Sequence, residues 1–159
     1  MENSPKPSLV IVDDEEMVVT SLRALVQLET DYTLHCFTSP QEAAKHLETS
    51  PVEVVVTDYM MPGMNGLELL ACAKRFQPEA ARVLLTGHAD KQSAIRAINE
   101  VGLYQYLEKP WDNQQLLLVL RSAIERTQLF RQLRDKISEL DAAHGNLKDV
   151  RTRLLRAFL

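Results

Sequence analysis

The residues best suited to chemistry stand directly after short apolar runs. Asp13 and Asp14 follow the run 9–12, Asp58 follows 52–57, Thr86 closes 82–86, and Lys109 comes just past 104–107. Carboxylates gathered in one place repel, and raise one another's pKa unless a cation shares them. Their hard oxygen donors suit Mg²⁺, which keeps several waters and binds through one or two carboxylates plus a phosphate. A lysine adds a mobile positive charge for phosphate oxygens, and a threonine hydroxyl can donate to one of them. The set reads as a phosphoryl-transfer site, where catalysis consists mostly of placing a nucleophile and neutralising charge. Asp58 is the natural nucleophile, since a carboxylate can form an aspartyl phosphate. Asp13 and Asp14 would then hold the metal.

Such a site needs a frame that brings distant segments together. Five brief apolar runs, 9–12, 32–37, 52–57, 82–86 and 104–107, alternate with helical patterns at 15–28, 40–49, 66–76, 91–101 and from 113 onward. Parallel strands cannot be joined by tight hairpins, so this alternation predicts βαβ crossovers and a parallel sheet with helices on both faces. Leu9-Val10-Ile11-Val12 and Val54-Val55-Val56 are apolar at consecutive positions, as central strands buried on both faces are. Ser39 can cap the helix that Pro40 opens, while Gly63 and Gly66 bracket a turn before the next. Open parallel sheets bind ligands beyond the carboxyl ends of their strands, and the five residues fall there.

Asp13-Asp14, Asp58, Thr86 and Lys109-Pro110 together resemble the signature of bacterial response-regulator receiver domains, over roughly residues 8–127. The resemblance implies an α/β, flavodoxin-like, doubly wound (βα)5 parallel sheet of strand order 2-1-3-4-5, here with a long C-terminal helix. It implies that Asp58 accepts a phosphoryl group from a sensor histidine kinase or phosphotransfer protein. Mg²⁺ would be held by Asp14, Asp58 and the backbone carbonyl of Met60, with Asp13 acting through water. Thr86 and Lys109 would contact the phosphoryl oxygens, and Thr86 and Tyr106 would form the switch. Segment 60–66 looks like the family's loop after the phosphorylated aspartate, and the Lys109-Pro110 bond is often cis in the family. The switching face would run from Lys91 to about Arg126.

Plainer readings exist for each residue alone. Asp13 and Asp14 could be solvated acids capping a helix, Asp58 a turn residue, Thr86 a strand end and Tyr106 a core aromatic. Lys109-Pro110 could be a strand exit. His88 and the side chain of Met60 could lie over the site and tune dephosphorylation, or His88 could be an exposed loop histidine. Two other function classes compete with the switch: a phosphorylation-independent dimerisation or adaptor module, and an aspartyl-phosphate phosphatase. A haloacid-dehalogenase-like phosphatase needs a second acid two residues after its nucleophile, and Met60 occupies that position. No enzymatic activity beyond self-phosphorylation is expected.

Bulk properties agree with one core and an appendage. The chain has 159 residues, 45% of them hydrophobic, enough for one buried domain but not for two. A net charge of -4 and a pI near 5.6 speak against a surface for direct DNA binding. Cys36 and Cys72 show neither metal nor disulfide spacing, and no run approaches membrane-spanning length. A cytoplasmic protein without a membrane partner is expected.

The expected division is a receiver domain at 1–127 and a helical extension at 128–159. In that extension Phe130, Leu133, Ile137, Leu140, His144, Leu147, Arg151, Leu154 and Phe158 follow three- and four-residue steps, a narrow seam suited to a coiled coil. A homodimer through a parallel stalk is the first expectation, leading to an output domain in a longer chain or ending a small regulator. Two polar seam positions and Gly145-Asn146 weaken it; the alternative is two short helices that fold back.

Overall fold

The computed structural model describes residues 5–144 and 148–158. Five parallel strands, β1 (Ser8–Val12), β2 (Thr33–Phe37), β3 (Val54–Asp58), β4 (Ala81–Thr86) and β5 (Gln105–Glu108), lie in the order β2-β1-β3-β4-β5. Between them run α1 (Glu16–Glu29), α2 (Pro40–Thr49), α3 (Gly66–Phe76) and α4 (Lys91–Glu100), the last preceded by a 3₁₀ turn at His88–Asp90. The long α5 (Asn113–His144) and then α6 (Lys148–Phe158) complete the chain. This is the doubly wound flavodoxin-like sheet with the expected strand order.

The consecutive apolar residues of β1 and β3 do serve both faces. Val10, Val12 and Val55 pack with Leu47, Leu69 and Leu70 on one side. Leu9, Ile11, Val54 and Val56 meet Leu22, Leu116 and Leu120 on the other. Burying a side chain of this size contributes about 1.5–3 kcal/mol, so the strands holding the site are among the best anchored parts of the chain. β3 starts at Val54, later than the apolar run, because the Val52 amide donates to Gln77 Oε1 at 2.7 Å and the Glu53 amide to the Ser8 carbonyl at 2.9 Å. The Ser39 cap forms, its hydroxyl accepting from the Glu42 amide at 3.3 Å. Asn65 caps α3 in the same way, accepting from the Glu68 amide at 2.9 Å.

At the amino-terminal end of the sheet, α5 is fastened by charge. Arg131 donates to the Val52 carbonyl at 2.8 Å and pairs with Glu53 at 3.2 Å and Glu79 at 3.2 Å. Arg134 also pairs with Glu79, and Glu53 in turn accepts from the Ser8 amide at 2.6 Å. Helix α5 passes unbroken through residues 127 and 128, and this clamp holds it to the domain beyond that point.

Within the single chain, α6 lies against α5. Leu154 and Leu155 of α6 close a small gap against Phe130, Leu133 and Ile137 of α5, so these seam positions are occupied within one chain. Phe130 turns toward the base of the domain beside Pro78 and Ala81 and is buried, Ile137 is buried, and Leu140 stays exposed. Leu147 and the side chain of Phe158 lie outside the described residues. Docking α6 on its own α5 covers apolar surface without the entropic cost of bringing in a second molecule. No helix among the described residues is long and apolar enough to cross a membrane.

On the outer edge strand β2, His35 meets His46 of α2 in a tilted ring contact with centroids 4.5 Å apart, and His46 Nε2 is buried without a hydrogen-bond partner. Burial, with the neighbouring His35, holds the His46 pKa below its ordinary 6.5. The unfolded chain then takes up a proton that the folded one resists, so stability is lost as pH falls below about 6.5. Thermal melts from pH 7.5 down to 5.5 should show a decline in Tm that is clearly shallower in His46→Phe; identical slopes would remove this explanation.

Candidate functional site

At the carboxyl end of the sheet the two inner strands release their acids side by side. β1 pairs with β3 so that Val12 sits opposite Thr57, which brings Asp13 and Asp14 beside Asp58. One carboxylate oxygen from each lies within 4.8 Å of the others. Asp13 is fully buried, Asp58 nearly so, and Asp14 is exposed. Among the described residues these three form the group able to hold a metal ion.

Lys109 reaches into the same cluster from the end of β5. Its ammonium lies 2.9 Å from Asp58 Oδ1 and 3.4 Å from Asp13 Oδ2. The Lys109 amide donates to the Thr86 carbonyl at 2.7 Å, and the Lys109-Pro110 bond is cis. Burial pulls the Lys109 pKa down, but the hydrogen bond to Asp58 and the charges of Asp13 and Asp58 outweigh it, so the ammonium form is held above its ordinary range. Asp13 moves up because of burial first and Asp58 second, against the opposing pull of the Glu15 amide and Lys109. That amide donates to Asp13 Oδ1 at 2.9 Å, so part of the helix-entry reading of this acid is also true.

Three carboxylates against one ammonium leave an excess of negative charge at a partly desolvated place. Hard oxygen donors with uncompensated charge fit a divalent cation that retains water, and the residues present therefore suit Mg²⁺. Thr86 is buried at the end of β4, its hydroxyl directed at the Leu107 carbonyl at the outer limit of a hydrogen bond, 3.5 Å. Tyr106, half-buried on β5, packs against the core cluster on the α4 side. The Met60 side chain is exposed at the mouth of the loop. The side chain of His88 lies outside the described residues.

One constraint on the site was not singled out from sequence. Gly66 opens α3 directly against the strand end, where a Cβ would meet the Asp58 carbonyl oxygen at 2.2 Å. The Gly66 amide donates to the Tyr59 carbonyl at 2.8 Å, and the Tyr59 amide to the Leu85 carbonyl at 3.0 Å. The helix start is thus pressed on the peptide that carries Asp58. A glycine at a turn was legible, but its contact with a residue eight positions earlier needed the fold.

The comparisons with known proteins bear on this geometry. The family model described as response regulator receiver domain matches residues 9–121. The hydrogenase transcriptional regulatory protein HoxA of Cupriavidus necator is 34% identical over 118 residues, covering 74% of this chain and 24% of that protein. The C4-dicarboxylate transport transcriptional regulatory protein DctD of Rhizobium meliloti is 30% identical over 144 residues, covering 91% of this chain and 31% of its own length. The chain thus spans from about a quarter to just under a third of the length of these relatives. Among solved structures, the signal receiver domain of an HD domain-containing protein from Pseudomonas fluorescens Pf-5 superposes with a TM-score of 0.73 at 37% identity, covering 78% of this chain and 98% of that one.

Gly66→Ala should push the Asp58 peptide out of place. A Cβ forced into a packed position costs about 1–3 kcal/mol, so urea denaturation should show a loss of that size. An unchanged midpoint would mean that the helix start yields freely.

Proposed function

The chain belongs to the response regulator receiver domain family, and on that footing we propose that Asp58 accepts a phosphoryl group from a phosphohistidine of a sensor histidine kinase or phosphotransfer protein. The observation that carries the reading is the convergence of Asp13, Asp14, Asp58 and Lys109 from three strand ends into one pocket. A carboxylate oxygen of Asp58 attacks phosphorus, the P–N bond to the imidazole breaks, and a P–O bond forms in its place. Asp14, Asp58 and the Met60 carbonyl would hold Mg²⁺, with Asp13 acting through water; the ion, when bound, neutralises charge on the phosphoryl oxygens.

Lys109 releases Asp58 and takes up a phosphoryl oxygen, remaining charged across the working pH range because its pKa is held up. The new acceptor oxygens at Asp58 then compete for the Thr86 hydroxyl, which holds the Leu107 carbonyl weakly at 3.5 Å. Thr86 moves inward, Tyr106 follows into the space it leaves, and the face of α4, β5 and α5 changes its affinity for a partner. The shift is limited by the difference in phosphate contacts between the two packings. Met60 and His88 belong to this reading as residues that tune water attack on the phosphoryl group. Two copies associate through the helical tail, while the chain, with a net charge of -4, acts in the cytoplasm without touching DNA or membrane.

Incubation with Mg²⁺ and a small phosphodonor should add one phosphoryl group to the intact chain, and none to Asp58→Asn, by mass spectrometry. Lys109→Gln should slow the gain by about 10²–10³-fold, the usual effect of losing one preorganised charge partner. A native chain that stays unmodified would favour the phosphorylation-independent adaptor.

A further inference from the structure

The heptad spacing and the folded-back hairpin make competing use of the same residues. Leu154 and Leu155 of α6 seal against Phe130, Leu133 and Ile137 of α5, with the Arg134 side chain lining the same gap. Yet the three- and four-residue steps continue in phase from Ile137 through Leu140, His144, Leu147 and Arg151 to Leu154. By spacing, α5 and α6 can therefore share one seam, apolar except at His144 and Arg151, or close that seam on itself.

The docking that holds the hairpin is modest. Leu154 and Leu155 are each only half-buried, and α6 has eleven residues. Between residues 148 and 158 four basic residues stand against one acid, and Arg156 lines the same open gap as Lys74 of α3. What favours the hairpin is the short connection, which gives α6 an effective concentration on the order of mM at its own α5. What opposes straightening is Gly145, a poor helix former at the middle of the joined helix.

We propose that α6 is an exchangeable segment and that the strip of α5 bearing Leu133 and Ile137 is a docking surface for α6 of a second copy. In the exchanged form two α5–α6 segments lie antiparallel, and each α6 takes the place of the other's. Contacts within the hairpin reappear between chains, so the exchanged dimer needs no surface that the monomer lacks. The occupant is fixed by complementarity already present: the segment that fits the strip is the one seated on it. The inference rests on the tail association included in the proposed function, names its partner and its geometry, and is independent of phosphorylation at Asp58.

The test uses the full chain and Gly145→Ala, which favours the straight form without touching the docking residues. Light scattering after size exclusion should find Gly145→Ala dimerising about tenfold or more tightly than the native chain, because both helices gain propensity at the connection. Adding Leu154→Asp and Leu155→Asp should return it to monomer. In a background of Cys36→Ser and Cys72→Ala, the pair Ile137→Cys and Leu154→Cys should form its disulfide within the chain in the monomer and between chains in the Gly145→Ala dimer.

A Gly145→Ala chain that stays monomeric overturns the proposal, as does a dimer in which the 137–154 bond still closes within each chain. A dimer linked by Ile137→Cys to its own copy means a parallel stalk and also overturns it. The phosphodonor assay on the same preparations reports separately on Asp58, so loss of the exchange and loss of the phosphorylation reading are distinguishable.

Discussion

The ion pair between Lys109 and the buried acids is the interaction on which the rest of the arrangement turns. At 2.9 Å from Asp58 and 3.4 Å from Asp13, the ammonium makes an otherwise repulsive cluster tolerable. Removing charges from water is costly unless they are paired, and an acid buried as fully as Asp13 needs that partner. The pairing ties the end of β5 to the ends of β1 and β3. That pairing connects Asp58 directly to the strand that carries Tyr106 and leads into α5. The same contact that stabilises the resting pocket is the one that phosphorylation would rewrite.

Much of this was legible in the sequence because the relevant physics is local. Consecutive valines in β3 and the apolar run of β1 announce strands covered on both faces, and Ser39-Pro40 announces a helix start. The five chemical residues were also readable, since each lies at a strand end and parallel topology sends those ends to one edge. What remained hidden depends on long-range approach. Nothing near Gly66 reveals that its α-carbon abuts the Asp58 carbonyl, and nothing near Arg131 reveals Glu53 and Glu79, which lie more than fifty positions earlier.

The tail shows where periodicity stops being decisive. A heptad strip states which residues share a face but not what covers that face, and a second copy or the chain itself satisfies the same requirement. Phe130 serves two places at once, lining the gap that Leu154 and Leu155 close and the base of the domain beside Pro78 and Ala81.

The clamp of Arg131 and Arg134 has a consequence for dissecting the molecule. Cleavage anywhere between Thr127 and Arg131 would leave the Glu53 and Glu79 carboxylates facing each other across the foot of β3 and β4 with their guanidinium partners gone. The Val52 carbonyl and the underside that Phe130 covers would be opened to water. A fragment meant to stand for the whole globular unit has to extend past residue 134, whatever the helix does afterwards.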